Sequence, residues 1–203
     1  CRSLDRRYGP HRGELVVSER RMIVREEAWN IEGGFNISRG RRSVAEVVTV
    51  EIHQNGVRGR GECVPYRRYG ETKESSAAEI ERLRLPLEDG SLDRESLQSL
   101  MGPGAARNAL DCALWDLEAK LTDVPVWQLA GLPQPRPFVT AYTISLGTPK
   151  EMGASALKHA ARPLLKLKLG GENDIARVRA VRENAPATTI IVDANEAWTP
   201  VMV

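Results

Sequence analysis

"LLKLKLG", residues 164–170, places Lys166 and Lys168 one residue apart inside an otherwise apolar run. Successive side chains along a strand point to opposite faces, so the two lysines share one face and Leu165, Leu167 and Leu169 share the other. "TTIIVDANEAW" (188–198) repeats the arrangement, grouping Asp193 with Asn195 opposite Val192 and Ala194. Around these runs lie "FVTAYTISLG" (138–147), "PKEMGASALKHAA" (149–161) and "ENDIARVRAVREN" (172–184). Short strands alternating with helices of this length predict βαβ units and a parallel sheet.

Both strands carry their ionisable groups toward the C-terminal end. In a (β/α)₈ barrel that end holds the active site, and the apolar face packs beneath the surrounding helices. Two readings of the lysine pair follow: edge strands whose charges face water, or a pocket. In a pocket, burial and like charge both disfavour an ammonium, which suits a lysine to act as a base. A carboxylate such as Asp193 is a hard oxygen donor of the kind Mg²⁺ prefers.

The N-terminal part has a different pattern. "SVAEVVTVEIH" (43–53) puts Val44, Val48, Val50 and Ile52 on one face, Asn55-Gly56 is a hairpin turn, and "VRGRGECVP" (57–65) returns. "MIVREEAWNI" (22–31) begins a further strand-like stretch, so an antiparallel sheet is expected. "KESSAAEIERL" (73–83) and "LDRESLQSL" (92–100) read as polar-faced helices. "GPGAARNALDCALWDLEAKL" (102–121) reads as a longer, buried one with Leu110, Ala113, Leu114, Leu117 and Leu121 on its inner face. Gly102 and Gly104 do not make a dinucleotide fingerprint, because Arg107 stands at the sixth position and no strand leads in. The proline-rich "GLPQPRP" (131–137) marks the boundary between the two parts.

The chain has 203 residues, 28% of them charged, and a net charge of +2, so it reads as a globular protein with material for a sizeable core. Residues 1–21 carry +3 and the remainder −1, which argues against a nucleic-acid partner for the folded part. No run approaches the ~20 apolar residues of a membrane span. The three cysteines form no CxxC pair, and a reducing cytoplasm fits them. His11, His53 and His159 lack ligand-like spacing and read as surface residues. The Arg-rich stretch 1–21 is either a native arm or read-through ahead of Met22.

Taken together, "KLK" on one strand, "VDANEAW" on the next, "FNISRGRRSVAEVV" and "GRGECVPYRRYGE" in the antiparallel sheet, and "GAARNALDCALWDLEAK" resemble the enolase superfamily and, within it, the dipeptide epimerases. The resemblance covers about residues 22–200. It implies an enolase-like α+β capping domain over residues 22–135, followed over 136–203 by an α/β part, an incomplete TIM-type (β/α) barrel of about three strands. It further implies Mg²⁺-dependent epimerisation of a small dipeptide of the L-Ala-D/L-Glu type, by α-proton abstraction through an enolate. Lys or His bases working with Mg²⁺ are the known pattern of this superfamily.

Carried over residue by residue, the resemblance makes Lys168 the base, with Lys166 beside the substrate carboxylate. Asp193 becomes the first of three carboxylate ligands to Mg²⁺, with Asn195 behind it, and Thr143 lines the pocket. Arg39, in the capping loop "FNISRG", is the candidate partner for an acidic substrate side chain. A homo-oligomer would be in keeping for the complete protein, with no membrane or nucleic-acid partner. A relative such as o-succinylbenzoate synthase or a muconate-type cycloisomerase would use the same lysine pair and aspartate, and a non-catalytic interaction module is the alternative of a different class.

Only 66 residues follow residue 137, against at least ~200 for a closed barrel, so the chain is expected to be a C-terminally incomplete and inactive copy. The family's remaining metal carboxylates and second lysine lie on later strands. Ile144, Leu164 and Ile191 are expected on the uncovered inner face.

Overall fold

A computed structural model describes residues 20–38 and 40–201. The first part is a three-stranded antiparallel sheet in the order β1 (Arg21–Ile37), β2 (Gly40–Gln54) and β3 (Val57–Cys63). Asn55 and Gly56 between β2 and β3 have φ of 52° and 76°, the left-handed pair that a tight type I′ turn demands. The β1–β2 hairpin is longer, and its register shifts between Asn30 and Phe35, where Gly33 and Gly34 also take positive φ.

Behind the sheet lie α1 (Lys73–Glu81), α2 (Arg84–Glu88), α3 (Arg94–Leu100), α4 (Ala105–Thr122) and α5 (Val126–Leu129). Helices α1 and α3 each begin with a capping box, on Thr72 with Ser75 and on Asp93 with Ser96, which satisfies their first free amides. Helix α4 crosses the sheet and buries Ala106, Ala109, Leu110, Ala113, Leu114 and Leu117 against Met22, Val48, Val50 and Ile52. Leu121, expected on that inner face, is 38% exposed, because it lies in the last turn of the helix, beyond Leu117, the last buried residue of the stripe. The short α2 was not foreseen: Pro86 falls inside it, but within the first turn, where a missing amide costs no hydrogen bond.

The second part is a parallel sheet of β4 (Tyr142–Ile144), β5 (Leu164–Lys168) and β6 (Thr189–Asp193), joined by α6 (Pro149–Lys158) and α7 (Asp174–Asn184). Helix α6 starts on a capping box of Thr148 and Glu151 with Pro149 at its first position. Both helices cover one face, burying Leu165, Leu167, Leu169, Ile144, Met152, Ala156 and Val181 in a second core. Strand β4 is shorter than the sequence suggests, and Phe138 and Val139 lie exposed ahead of it. Ile144 pairs with Leu167 in register and is 2% exposed, so it belongs to the helix-covered face and not to the inner one. Ile191, aligned with Lys166, is 44% exposed, as expected of the inner face. Among the described residues no helix is long and apolar enough to cross a membrane.

Candidate active site at the strand ends

The parallel register brings together what the sequence separates by 25 residues. Lys168 is aligned with Asp193 on the neighbouring strand, and Lys166 with Thr143 on the other side. One oxygen of Asp193, Oδ2, accepts from Lys168 Nζ at 2.8 Å and lies 2.9 Å from Lys166 Nζ. The other, Oδ1, accepts from the backbone amide of Asn195 at 2.9 Å. These donors, Lys168 first, then Lys166 and the Asn195 amide, hold the Asp193 carboxyl well below the usual carboxylate range.

The two lysines differ in setting. The Lys168 side chain is 10% exposed and that of Lys166 34%. What covers Lys168 comes from the first part of the chain: Phe35, at the hairpin tip, places its ring 5.6 Å from Lys168 Nζ. The residues that follow Phe35 fasten the tip to the second part. Leu146 N donates to Asn36 O at 3.1 Å, Asn36 Nδ2 donates to Leu146 O at 3.4 Å, and Ser38 Oγ donates to Asn195 O at 2.9 Å. Arg68 adds an ion pair to Glu196 at 2.6 Å.

Five of the six residues singled out from the sequence therefore converge: Lys166, Lys168, Asp193, Asn195 and Thr143 lie at the C-terminal ends of three adjacent strands. Arg39 falls outside the described residues. The like-charge account of the lysine pair needs amending, since an anionic partner contacts both. Sequence reasoning grouped Asp193 with Asn195 by strand alternation; the actual link is a turn in which the Asn195 amide folds back on the carboxylate. It also passed over Phe35, Asn36 and Ser38, although all three stand in the quoted "FNISRG". The side-chain oxygens of Asn36 and Asn195 are buried and accept no hydrogen bond among the described residues. His53, read as a surface residue, lies 3.1 Å from Glu51, and His159 stacks on Tyr142 at 3.8 Å.

As a metal site the arrangement fits in part. Mg²⁺ typically takes one or two protein carboxylates, and Asp193 is a hard oxygen donor, although both its oxygens already accept hydrogen bonds. Among the described residues, no group of three His, Cys, Asp or Glu side chains gathers there or elsewhere.

Residues 19–131 match the family described as mandelate racemase / muconate lactonizing enzyme, N-terminal domain. An L-Ala-D/L-Glu epimerase of Escherichia coli (strain K12) is 47% identical over 181 residues, which are 88% of this chain and 56% of that protein. An enolase family member from Agrobacterium tumefaciens with homology to dipeptide epimerases, solved with sodium and L-Ala-L-Glu, superposes with a TM-score of 0.84 at 49% identity. The match covers 91% of this chain and 56% of that one. A dipeptide epimerase from Cytophaga hutchinsonii, complexed with Mg and D-Ala-L-Val, superposes with a TM-score of 0.79 at 29% identity, covering 91% and 53%. The chain spans about half the length of the relatives it matches.

Proposed function

Because the chain belongs to the mandelate racemase / muconate lactonizing enzyme family of the enolase superfamily, we propose that it forms the capping part and first three barrel strands of a dipeptide epimerase. The observation that carries the reading is the cluster itself: two lysines on one carboxylate oxygen at the C-terminal ends of parallel strands, beneath a hairpin tip from the capping sheet.

In this reading Lys168, as the amine, takes the α-proton from the C-terminal residue of the dipeptide. The C–H electrons move into the adjoining carboxylate to give an enolate, and a proton returned to the opposite face completes the inversion. That second proton comes from a group on a later strand. Lys166, more exposed, lies where the substrate carboxylate would bind. Asp193 would be one Mg²⁺ ligand; the ion, when bound, supplies positive charge against the developing enolate. Thr143 lines the pocket beside Lys166, and Asn195 supports Asp193. Arg39 pairs with an acidic side chain, which favours L-Ala-D/L-Glu over neutral dipeptides. The protein works in the cytoplasm on peptidoglycan-derived peptides, as a homo-oligomer when complete.

Since the chain spans half of its relatives, the test fuses it to the C-terminal part of the Escherichia coli relative. In D₂O the fusion should exchange the α-proton of both L-Ala-L-Glu and L-Ala-D-Glu. Lys168→Ala should slow exchange from one epimer by ~10²–10⁴-fold, the usual loss for a single general base. Deuterium entering both epimers at the parent rate in that variant would remove Lys168 from the role.

A further inference from the structure

Asp174 lies outside the cluster, at the start of α7, and is 8% exposed. A first-turn carboxylate usually caps its own helix. This one turns elsewhere. Oδ1 accepts from Gly170 N at 3.1 Å and Arg177 Nη1 at 2.8 Å, and Oδ2 accepts from Gly171 N at 2.7 Å and Trp198 Nε1 at 2.8 Å. Arg177 extends the reach, its Nε donating to Gly147 O at 2.8 Å and its Nη1 to Glu172 O. One buried ion pair thus touches the loop after β4 through Gly147, the loop after β5 through residues 170–172, and the segment after β6 through Trp198.

That last segment is strained. Between Asp193 and Trp198, Asn195 and Glu196 adopt φ of 48° and 67°, and neither is glycine. Asparagine tolerates left-handed backbone, but at a glutamate it costs energy and persists only where its surroundings hold it. One end of the turn is Asp193; the other is anchored by the Trp198 indole on Asp174. Ser38 and Arg68 hold it from the capping side. Within it, the Asn195 amide donates to Asp193 Oδ1, so the place of the turn sets the orientation of the carboxylate.

We infer that Asp174, with Arg177, is a positioning residue: a bracket across three strand-end loops that fixes the Asp193 carboxylate against Lys166 and Lys168 by way of Trp198. The importance of that alignment rests on the proposed function, but the alignment itself is measured without substrate or metal. The physical expectation is the general one that groups doing chemistry are oriented by a buried supporting shell.

The test is hydrogen–deuterium exchange, resolved to single amides, on the full 203-residue chain at low micromolar concentration. Trp198→Phe keeps an aromatic ring but removes the bond to Asp174; Asp174→Asn disturbs the whole bracket. In Trp198→Phe the Asn195 amide should exchange about tenfold faster, as expected on removing one charge-assisted hydrogen bond from a local opening equilibrium. The amides of Ala156 in α6 and Val181 in α7 should keep their parent rates. Asp174→Asn should add faster exchange at Gly171. An Asn195 amide at the parent rate in Trp198→Phe would overturn the inference. So would an equal acceleration at Ala156, Val181 and Asn195, which would make the bracket an ordinary source of stability; if Asp174→Asn fails to fold, Trp198→Phe alone decides. Because exchange needs no turnover, a bracket that fails this test and a Lys168 that fails the α-proton assay are separate results.

Discussion

Replacing Asp193 with Asn removes the one negative charge that two ammonium groups share. The bond from Lys168 is nearly shielded from solvent, its side chain being 10% exposed, so it merits the range of a charge-assisted hydrogen bond, ~1.5–3 kcal/mol. The contact from Lys166 is 34% exposed on the lysine side and is screened to well under ~1 kcal/mol. An Asn oxygen still accepts one bond, so the expected loss is about 2 kcal/mol at pH 7. The pH dependence has a definite sign. The folded-state carboxyl lies below its ordinary value, so the unfolded chain takes up a proton first as pH falls. Its contribution is fully present above pH ~4, the ordinary aspartate value, and is lost below it. Urea unfolding followed by tryptophan fluorescence, with Trp198 as the indole nearest the site, should therefore show a parent–variant difference at pH 7 that shrinks at pH ~3. Equal stability at pH 7, or a difference that widens in acid, would refute the shared-carboxylate account.

Three further outcomes are expected. A Cβ at Gly61 would overlap the Ala109 carbonyl and sit 2.7 Å from Ala113 N, so Gly61→Ala should force α4 off β3 and cost about 3 kcal/mol or more, read as a lowered thermal midpoint. The 203-residue chain alone should neither epimerise L-Ala-L-Glu nor gain melting temperature from Mg²⁺, since among the described residues no three metal-ligating side chains gather; polarimetry and a thermal scan with and without the ion check this. In the fused protein, Arg39→Ala should cost ~1.5–3 kcal/mol in kcat/KM for L-Ala-L-Glu and much less for L-Ala-L-Leu; equal losses would remove Arg39 from specificity.

Much of the fold was legible because its signals are local. The Asn55-Gly56 turn and the apolar stripe of α4 as far as Leu117 are each settled within a few residues, and each reappears in the structure. The alternation in "SVAEVVTVEIH" does not reappear as a half-buried strand: Val47, Thr49 and Glu51 are buried along with Val48, Val50 and Ile52, because both faces of that stretch are covered, and Val44 is 37% exposed. The errors lie where the deciding contact is remote. Leu121 continues the helical stripe, but whether it is buried depends on what packs over the end of α4, which the stripe does not show. Ile144 was assigned to the wrong face because a three-residue strand offers too little alternation to fix its phase, and only pairing with Leu167 does so.

The site divides along the same line. Lys166, Lys168 and Asp193 could be found from strand period alone, since a buried-looking run that carries charges at its end is a local anomaly. Their meeting on a single oxygen could not, because it depends on the register between β5 and β6, two strands separated in the chain by a whole helix. Nor does any local pattern in "GGENDIARV" show that Asp174 would accept from Gly170, Gly171 and Trp198 as well as from Arg177 of its own helix. The left-handed turn at Asn195 and Glu196 is likewise invisible in "DANEAW", because a glutamate takes left-handed φ only where its surroundings hold it. The groups that carry charge were therefore readable from the sequence, and the groups that aim them were not. A charged group betrays itself by sitting in the wrong kind of run, whereas Asp174, Arg177 and Trp198 pass for ordinary loop and helix residues until three strands are side by side.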